Sequence, residues 1–87
     1  MEIKTFQNTY DLVEFHCYIT KNTDGECVNV IELLINTTET EDLSYIEKDF
    51  SKIFIVESHH HNYVFSNYEV TEYYIDENGL VKIICVK

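Results

Sequence analysis

Four histidines, three cysteines and sixteen carboxylates are the side chains of this 87-residue chain that could do chemistry. The densest group is His59-His60-His61, and imidazole is the commonest transition-metal ligand in proteins. Adjacent residues of an extended segment point to opposite faces, so three consecutive imidazoles do not converge, and no Cys or His nearby in sequence completes a tetrahedron. The spacing predicts a loop between two strands, with no metal and no other cofactor.

Thiol chemistry would need a low-pKa cysteine beside a histidine base. His16 and Cys17 are neighbours on a predicted strand and fall on opposite faces, while Cys27 and Cys85 have no local partner. All three cysteines lie in apolar stretches and form no C-x-x-C pair, which reads as buried, reduced thiols. A Cys17–Cys27 cross-strand disulfide is the alternative that a hairpin allows. With only Gly25 and Gly79 there is no glycine-rich phosphate loop. The expectation is a protein that is not an enzyme.

The carboxylates carry a stronger signal. Sixteen Asp and Glu stand against six lysines, with no arginine, for a formal net charge of −10. Such a surface repels polyanions, so direct nucleic-acid binding is excluded and a basic protein surface becomes the natural partner. Tyr63, Phe65, Tyr68, Tyr73 and Tyr74 could stack on bases. Glu69, Glu72, Asp76 and Glu77 surround them, however, and suit them instead to a protein interface. The simplest account of the carboxylates is ordinary solvated charge that favours solubility.

The elements that position these groups follow from periodicity. Residues 12–19 alternate, with Val13, Phe15, Cys17 and Ile19 opposite Glu14, His16 and Tyr18. The turn formers of 21–26 precede a second strand, 27–35, that is apolar on both faces and therefore central. Thr38 and Glu41 have capping-box spacing, and Leu43, Ile46, Phe50 and Ile53 recur at helical intervals, so a helix over 39–51 is predicted. Strands follow at 53–56, 63–68, 69–75 and 80–86, the last two joined by Asn78-Gly79, the strongest hairpin signal in the chain. The fold class expected is α+β, ββαβββ, in a single domain of residues 1–87. It comprises an N-terminal β-hairpin, one amphipathic helix packed on one sheet face, and a C-terminal antiparallel meander.

On that fold the acids form two groups. One lies on and before the helix (Glu39, Glu41, Asp42, Glu47, Asp49), and the other runs along the last hairpin with an exposed tyrosine (Glu69, Glu72, Tyr73, Asp76, Glu77). These ten residues are the candidate partner-binding set. No apolar run is long enough to span a bilayer and no signal sequence opens the chain, so a cytoplasmic protein without membrane contact is expected. The absence of alanine, proline and arginine suggests an AT-rich genome.

In size, acid excess, AT-rich composition and lack of catalytic motifs, the chain resembles the small accessory proteins of phages and prophages, including anti-CRISPR proteins and other inhibitors of host defence. The likeness is one of class and transfers no individual residue. It implies a DNA-mimicking inhibitor in the bacterial host cell whose partner is a basic-surfaced protein, such as a CRISPR effector or another nucleic-acid enzyme. Asp49-Phe50-Ser51-Lys52-Ile53 followed by tyrosine-rich strands is also similar to small proteins of phage tail operons. That similarity implies the alternative of a virion or tail component that self-associates, with a homodimer left open.

Overall fold

The computed structural model covers residues 1–87. Seven strands are present: β1 (Glu2–Lys4), β2 (Thr9–Lys21), β3 (Cys27–Asn36), β4 (Ile53–Glu57), β5 (Asn62–Ser66), β6 (Glu69–Ile75) and β7 (Val81–Val86). A single helix, α1 (Ser44–Phe50), joins β3 to β4. Every pairing is antiparallel, in the order β5-β4-β1-β2-β3-β7-β6.

Local turn chemistry accounts for the hairpins. In the β2–β3 turn the Asn22 side chain accepts the backbone N–H groups of Asp24 and Glu26, and Gly25 takes a φ of 79°. In the β6–β7 turn the Asp76 carboxylate accepts those of Asn78 and Leu80, and Gly79 also has a φ of 79°. Side-chain acceptors of this kind replace backbone partners that a tight turn cannot supply.

The sheet cannot be flat. β5 and β6 lie at opposite ends of the strand order, yet only Asn67 and Tyr68 separate them. Six inter-strand steps of about 4.8 Å would hold the edges roughly 29 Å apart in a planar sheet. The three peptide links from Ser66 to Glu69 reach at most about 11 Å. The sheet therefore coils until its edges meet at this corner, wrapping one face around the core. Phe15 of β2 and Tyr63 of β5, three strands apart in the order, accordingly have ring centroids 5.6 Å apart. The corner is turned by Asn67, the one non-glycine residue with positive φ (62°), whose N–H donates to the Lys52 carbonyl. Asn67→Val should cost about 1–2 kcal/mol in urea denaturation, because a β-branched side chain collides with the backbone there. Asn67→Gly should stay within about 0.5 kcal/mol of the parent.

The inner face collects Ile3, Leu12, Ile31, Leu33, Ile35, Phe54, Val56, Val81, Ile83 and Cys85, all at most 1% exposed. From α1, Ile46 and Phe50 complete this core at 0% exposure. Phe50 packs on Tyr10 and Phe54 at 5.7 and 5.5 Å, and Tyr45 lies 6.4 Å from Tyr10. These contacts seat the helix at the end of the coiled sheet where β2 begins.

The expected ββαβββ α+β fold is therefore corrected to a mostly-β one, 56% strand and 8% helix. Three physical causes separate the two. β1, only three residues long, bridges β2 and β4 and brings the fourth and fifth strands to the far side of the sheet rather than into a meander with β6. The Thr38–Glu41 capping box does not form. The Glu39 N–H donates to Thr37 Oγ1 and the Ser44 N–H to Asp42 Oδ1, so these side chains shape a loop and α1 begins only at Ser44, without a side-chain cap. Finally, Ile53 belongs to β4 and is 43% exposed, so the helical apolar period stops at Phe50.

Candidate protein-interaction surfaces

Register carries the first acidic group and the turn of the second, Asp76 and Glu77, to one place, while Glu69 and Glu72 lie farther along β6. Ile35 pairs with Val81, which in turn pairs with Ile75, so the loop leaving β3 and the β6–β7 turn emerge side by side at the same end of the sheet. Asp11, opposite Asn36, lies at that end too, as does α1. Asp11, Glu39, Glu41, Asp42, Glu47, Asp76 and Glu77 thus share the helix end of the molecule. None of them takes part in an ion pair, since the three pairs of the chain are Lys4–Glu57, Lys82–Glu32 and His16–Glu14. The Ser44 backbone N–H holds the Asp42 carboxyl below its ordinary range, so it stays ionised at this end.

The ten predicted partner-binding residues do not all reach solvent. Glu39, Glu41, Asp42, Glu47, Glu69, Glu72 and Glu77 are exposed, and Asp76, half-buried, is occupied by its own turn. Asp49 is 6% exposed. It accepts hydrogen bonds from Asn8 Nδ2 (2.8 Å) and from the Tyr10 hydroxyl, and so acts as a tie between α1 and the start of β2 rather than as a docking charge. Tyr73 pairs with Ile83 on the inner face and packs half-buried against the core, which removes it from the exposed set as well.

A second surface went unread in the sequence. On the outer face of the four adjacent strands β2, β3, β7 and β6, cross-strand partners form rows: Tyr18–Val30–Val86–Glu69, His16–Glu32–Ile84–Glu72 and Glu14–Leu34–Lys82–Tyr74. Thr20 and Val28 form a shorter row beyond them. The two middle columns are mainly aliphatic. Val30 is 5% exposed yet lies outside the core cluster, so its burial comes from neighbours on this face. Glu32 is the acidic charge within the stripe, beside Lys82. It accepts a hydrogen bond from the Tyr18 hydroxyl (2.6 Å) and pairs with Lys82 Nζ (3.0 Å), which together keep its carboxyl below the usual range. The signal for this surface is the two-sided apolar pattern of 27–35: β3 is a central strand, as that pattern predicts, but the core covers only its inner face.

The cysteines divide differently from expectation. Cys85 is fully buried, and burial pushes its thiol up to about 12, whereas Cys17 and Cys27 are exposed. Cys27 pairs with Lys21, four positions from Cys17, or roughly 13 Å along the strand, so the cross-strand disulfide is out of reach. His59–His61 occupy the β4–β5 turn, closed by the Ser58 N–H donating to the His61 carbonyl and the His61 N–H donating to Ser58 Oγ. No three His, Cys, Asp or Glu side chains converge as a metal-binding group, and no helix is long and apolar enough to cross a membrane. Comparison with family models, curated proteins and solved structures finds no match.

Proposed function

We propose that this chain is a non-enzymatic binding protein of the bacterial cytoplasm. It presents its acidic end to a basic, nucleic-acid-binding groove of another protein and competes there with the polyanion. One observation carries the reading: Glu39, Glu41, Asp42 and Glu47 share one end of the fold with Asp76 and Glu77, far away in sequence, and none of them has a lysine partner. Of sixteen carboxylates only Glu32 and Glu57 have a lysine, and Asp49 is buried, which leaves thirteen without a lysine partner at the surface. Desolvated basic grooves recognise such an array by charge complementarity, and the association is salt-dependent.

The test is competition against a basic nucleic-acid enzyme such as a CRISPR effector. Binding should be strong to the free effector, lost when its nucleic acid is bound first, and weaker as salt rises. The triple reversal E39K/E41K/D42K should lower affinity by about tenfold or more, while reversal of Asp24 and Glu26 in the far turn should change it by less than about twofold. Equal binding to loaded and free effector at every salt concentration rejects polyanion competition.

A structural role in a virion is the second reading, supported by the uncharged edge strand β5 (Asn62–Ser66), which carries none of the charges or prolines that usually protect an edge. Sedimentation over a wide concentration range separates the two, since an assembly component associates through this edge and a free inhibitor stays monomeric.

A further inference from the structure

The acidic end leaves the outer face of β2, β3, β7 and β6 without a role, although this face has the make-up of a protein interface. α1 contributes its buried residues to the inner core, and no element of the chain lies over the outer rows. Val28, Leu34, Ile84 and Val86 remain partly open around the buried Val30. Tyr18 and Tyr74, 43% and 44% exposed, stand at diagonal corners of the stripe. Glu14, Glu69 and Glu72 are exposed on its flanks. An aliphatic centre with tyrosines and a charged rim is the anatomy of a recognition surface, in which the rim sets the partner's charge and the centre supplies desolvation.

We propose that this face docks a protein surface with an aliphatic centre and a rim of lysine or arginine. The occupant follows from charge. A second copy would bring its own carboxylates against Glu14, Glu69 and Glu72 while each molecule carries ten excess negative charges, an arrangement that like-charge juxtaposition disfavours. Nucleic acid and anionic lipid are repelled for the same reason. Within the stripe Lys82 is already neutralised by Glu32 at 3.0 Å, so the carboxylates without an ion pair that the face offers an incoming cation are Glu69 and Glu72, with Glu14 beside His16 at 3.9 Å. This surface is distinct from the acidic end, and its occupancy does not require that end to bind anything.

The experiment titrates full-length, methyl- and amide-labelled protein with two synthetic peptides of equal positive charge. One is an amphipathic lysine–leucine peptide and the other a lysine–serine peptide. The lysine–leucine peptide should saturably shift the methyls of Val30, Leu34, Ile84 and Val86. The lysine–serine peptide should shift only residues 37–42 and 76–79. E69K/E72K, at exposed positions that leave the core intact, should weaken the first response by about tenfold, while E39K/E41K/D42K should change it by less than about twofold. Ile84→Thr should also weaken it, with unmoved Leu33 and Ile83 methyls reporting an intact fold. The proposal is overturned if both peptides perturb only the acidic end, if E69K/E72K leaves the lysine–leucine affinity unchanged, or if the outer methyls shift on simple dilution because a second copy already covers them.

Discussion

Phe54→Ala should destabilise the protein by about 3–5 kcal/mol, the range typical of deleting a fully buried aromatic ring. Phe54 is 1% exposed, and its ring meets those of Phe50, Phe65 and Tyr68 at 5.5, 5.4 and 6.4 Å. These partners come from the helix, from β5 and from the corner after Asn67, so one side chain ties the end plug to the place where the sheet turns from one edge to the other. A chain of this size has a total stability of only about 5–13 kcal/mol. The variant should therefore lose roughly a quarter or more of its stability in urea denaturation, and its midpoint temperature should fall by roughly 12 °C or more. Phe54→Leu should retain most of it, at about 1–1.5 kcal/mol. Phe6→Ala, at a site 83% exposed, should move the transition by less than about 0.5 kcal/mol. A Phe54→Ala cost below about 1 kcal/mol would mean that the coiled sheet does not close on this ring.

The importance of Phe54 shows where sequence reasoning stops. Both hairpins were legible because their information is local: Asn22 and Gly25 in one turn, Asp76, Asn78 and Gly79 in the other, each flanked by alternating residues. The helix was legible in its buried positions, Ile46 and Phe50, but not in its start, because Asp42 and Thr37 offered their side-chain oxygens to nearby loop N–H groups. The order of strands was not legible at all. β1 has too few residues for a periodic signal, and the passage from β5 to β6 through Asn67 and Tyr68 looks in sequence like one interrupted strand. Strand pairing across the coil is long-range, and only the assembled sheet reveals that Phe65 belongs beside Phe54 and Tyr63 beside Phe15.

The candidate surfaces divide along the same line. The carboxylates were identifiable one by one, yet their grouping depended on the register Ile35–Val81–Ile75, which no local pattern encodes. The outer stripe could have been found from β7. There Lys82, Ile84 and Val86 alternate with the core residues Val81, Ile83 and Cys85, so β7, like β3, carries aliphatic residues on both faces. Two neighbouring strands of this kind announce either a second layer or an uncovered apolar face.

Asp49→Ala should cost about 2–3 kcal/mol, an effect far above that of any other acidic substitution in the chain. Its position was readable in principle: it follows Ile46 by three residues and precedes Phe50, which places it on the buried stripe of α1 rather than among the exposed acids. A carboxylate in the last turn of a helix faces the negative end of the dipole, so the helix itself disfavours it. Its retention there depends on the donors Asn8 Nδ2 and the Tyr10 hydroxyl. Removing the carboxylate leaves the half-buried phenol without its acceptor, which is the expensive half of a lost hydrogen bond. The same pair dictates an alkaline response. Burial first, and then the hydrogen bond and charge of Asp49, raise the Tyr10 hydroxyl above its ordinary value of 10. A folded-state value raised above the unfolded one gives stability that is complete below about pH 10 and is lost as the pH climbs towards the folded value. Cys85, raised by burial from 9 to about 12, adds a loss that begins near pH 9. The wild-type protein should thus hold a flat urea midpoint from neutrality to about pH 9 and decline steeply above it. Tyr10→Phe should lower the plateau by about 1–2 kcal/mol yet make the decline above pH 10 shallower, because the Tyr10 phenol no longer ionises while the loss from Cys85 persists. An unaltered slope in Tyr10→Phe, together with an Asp49→Ala plateau within 0.5 kcal/mol or so of wild type, would show that this tie does not hold α1 to the sheet.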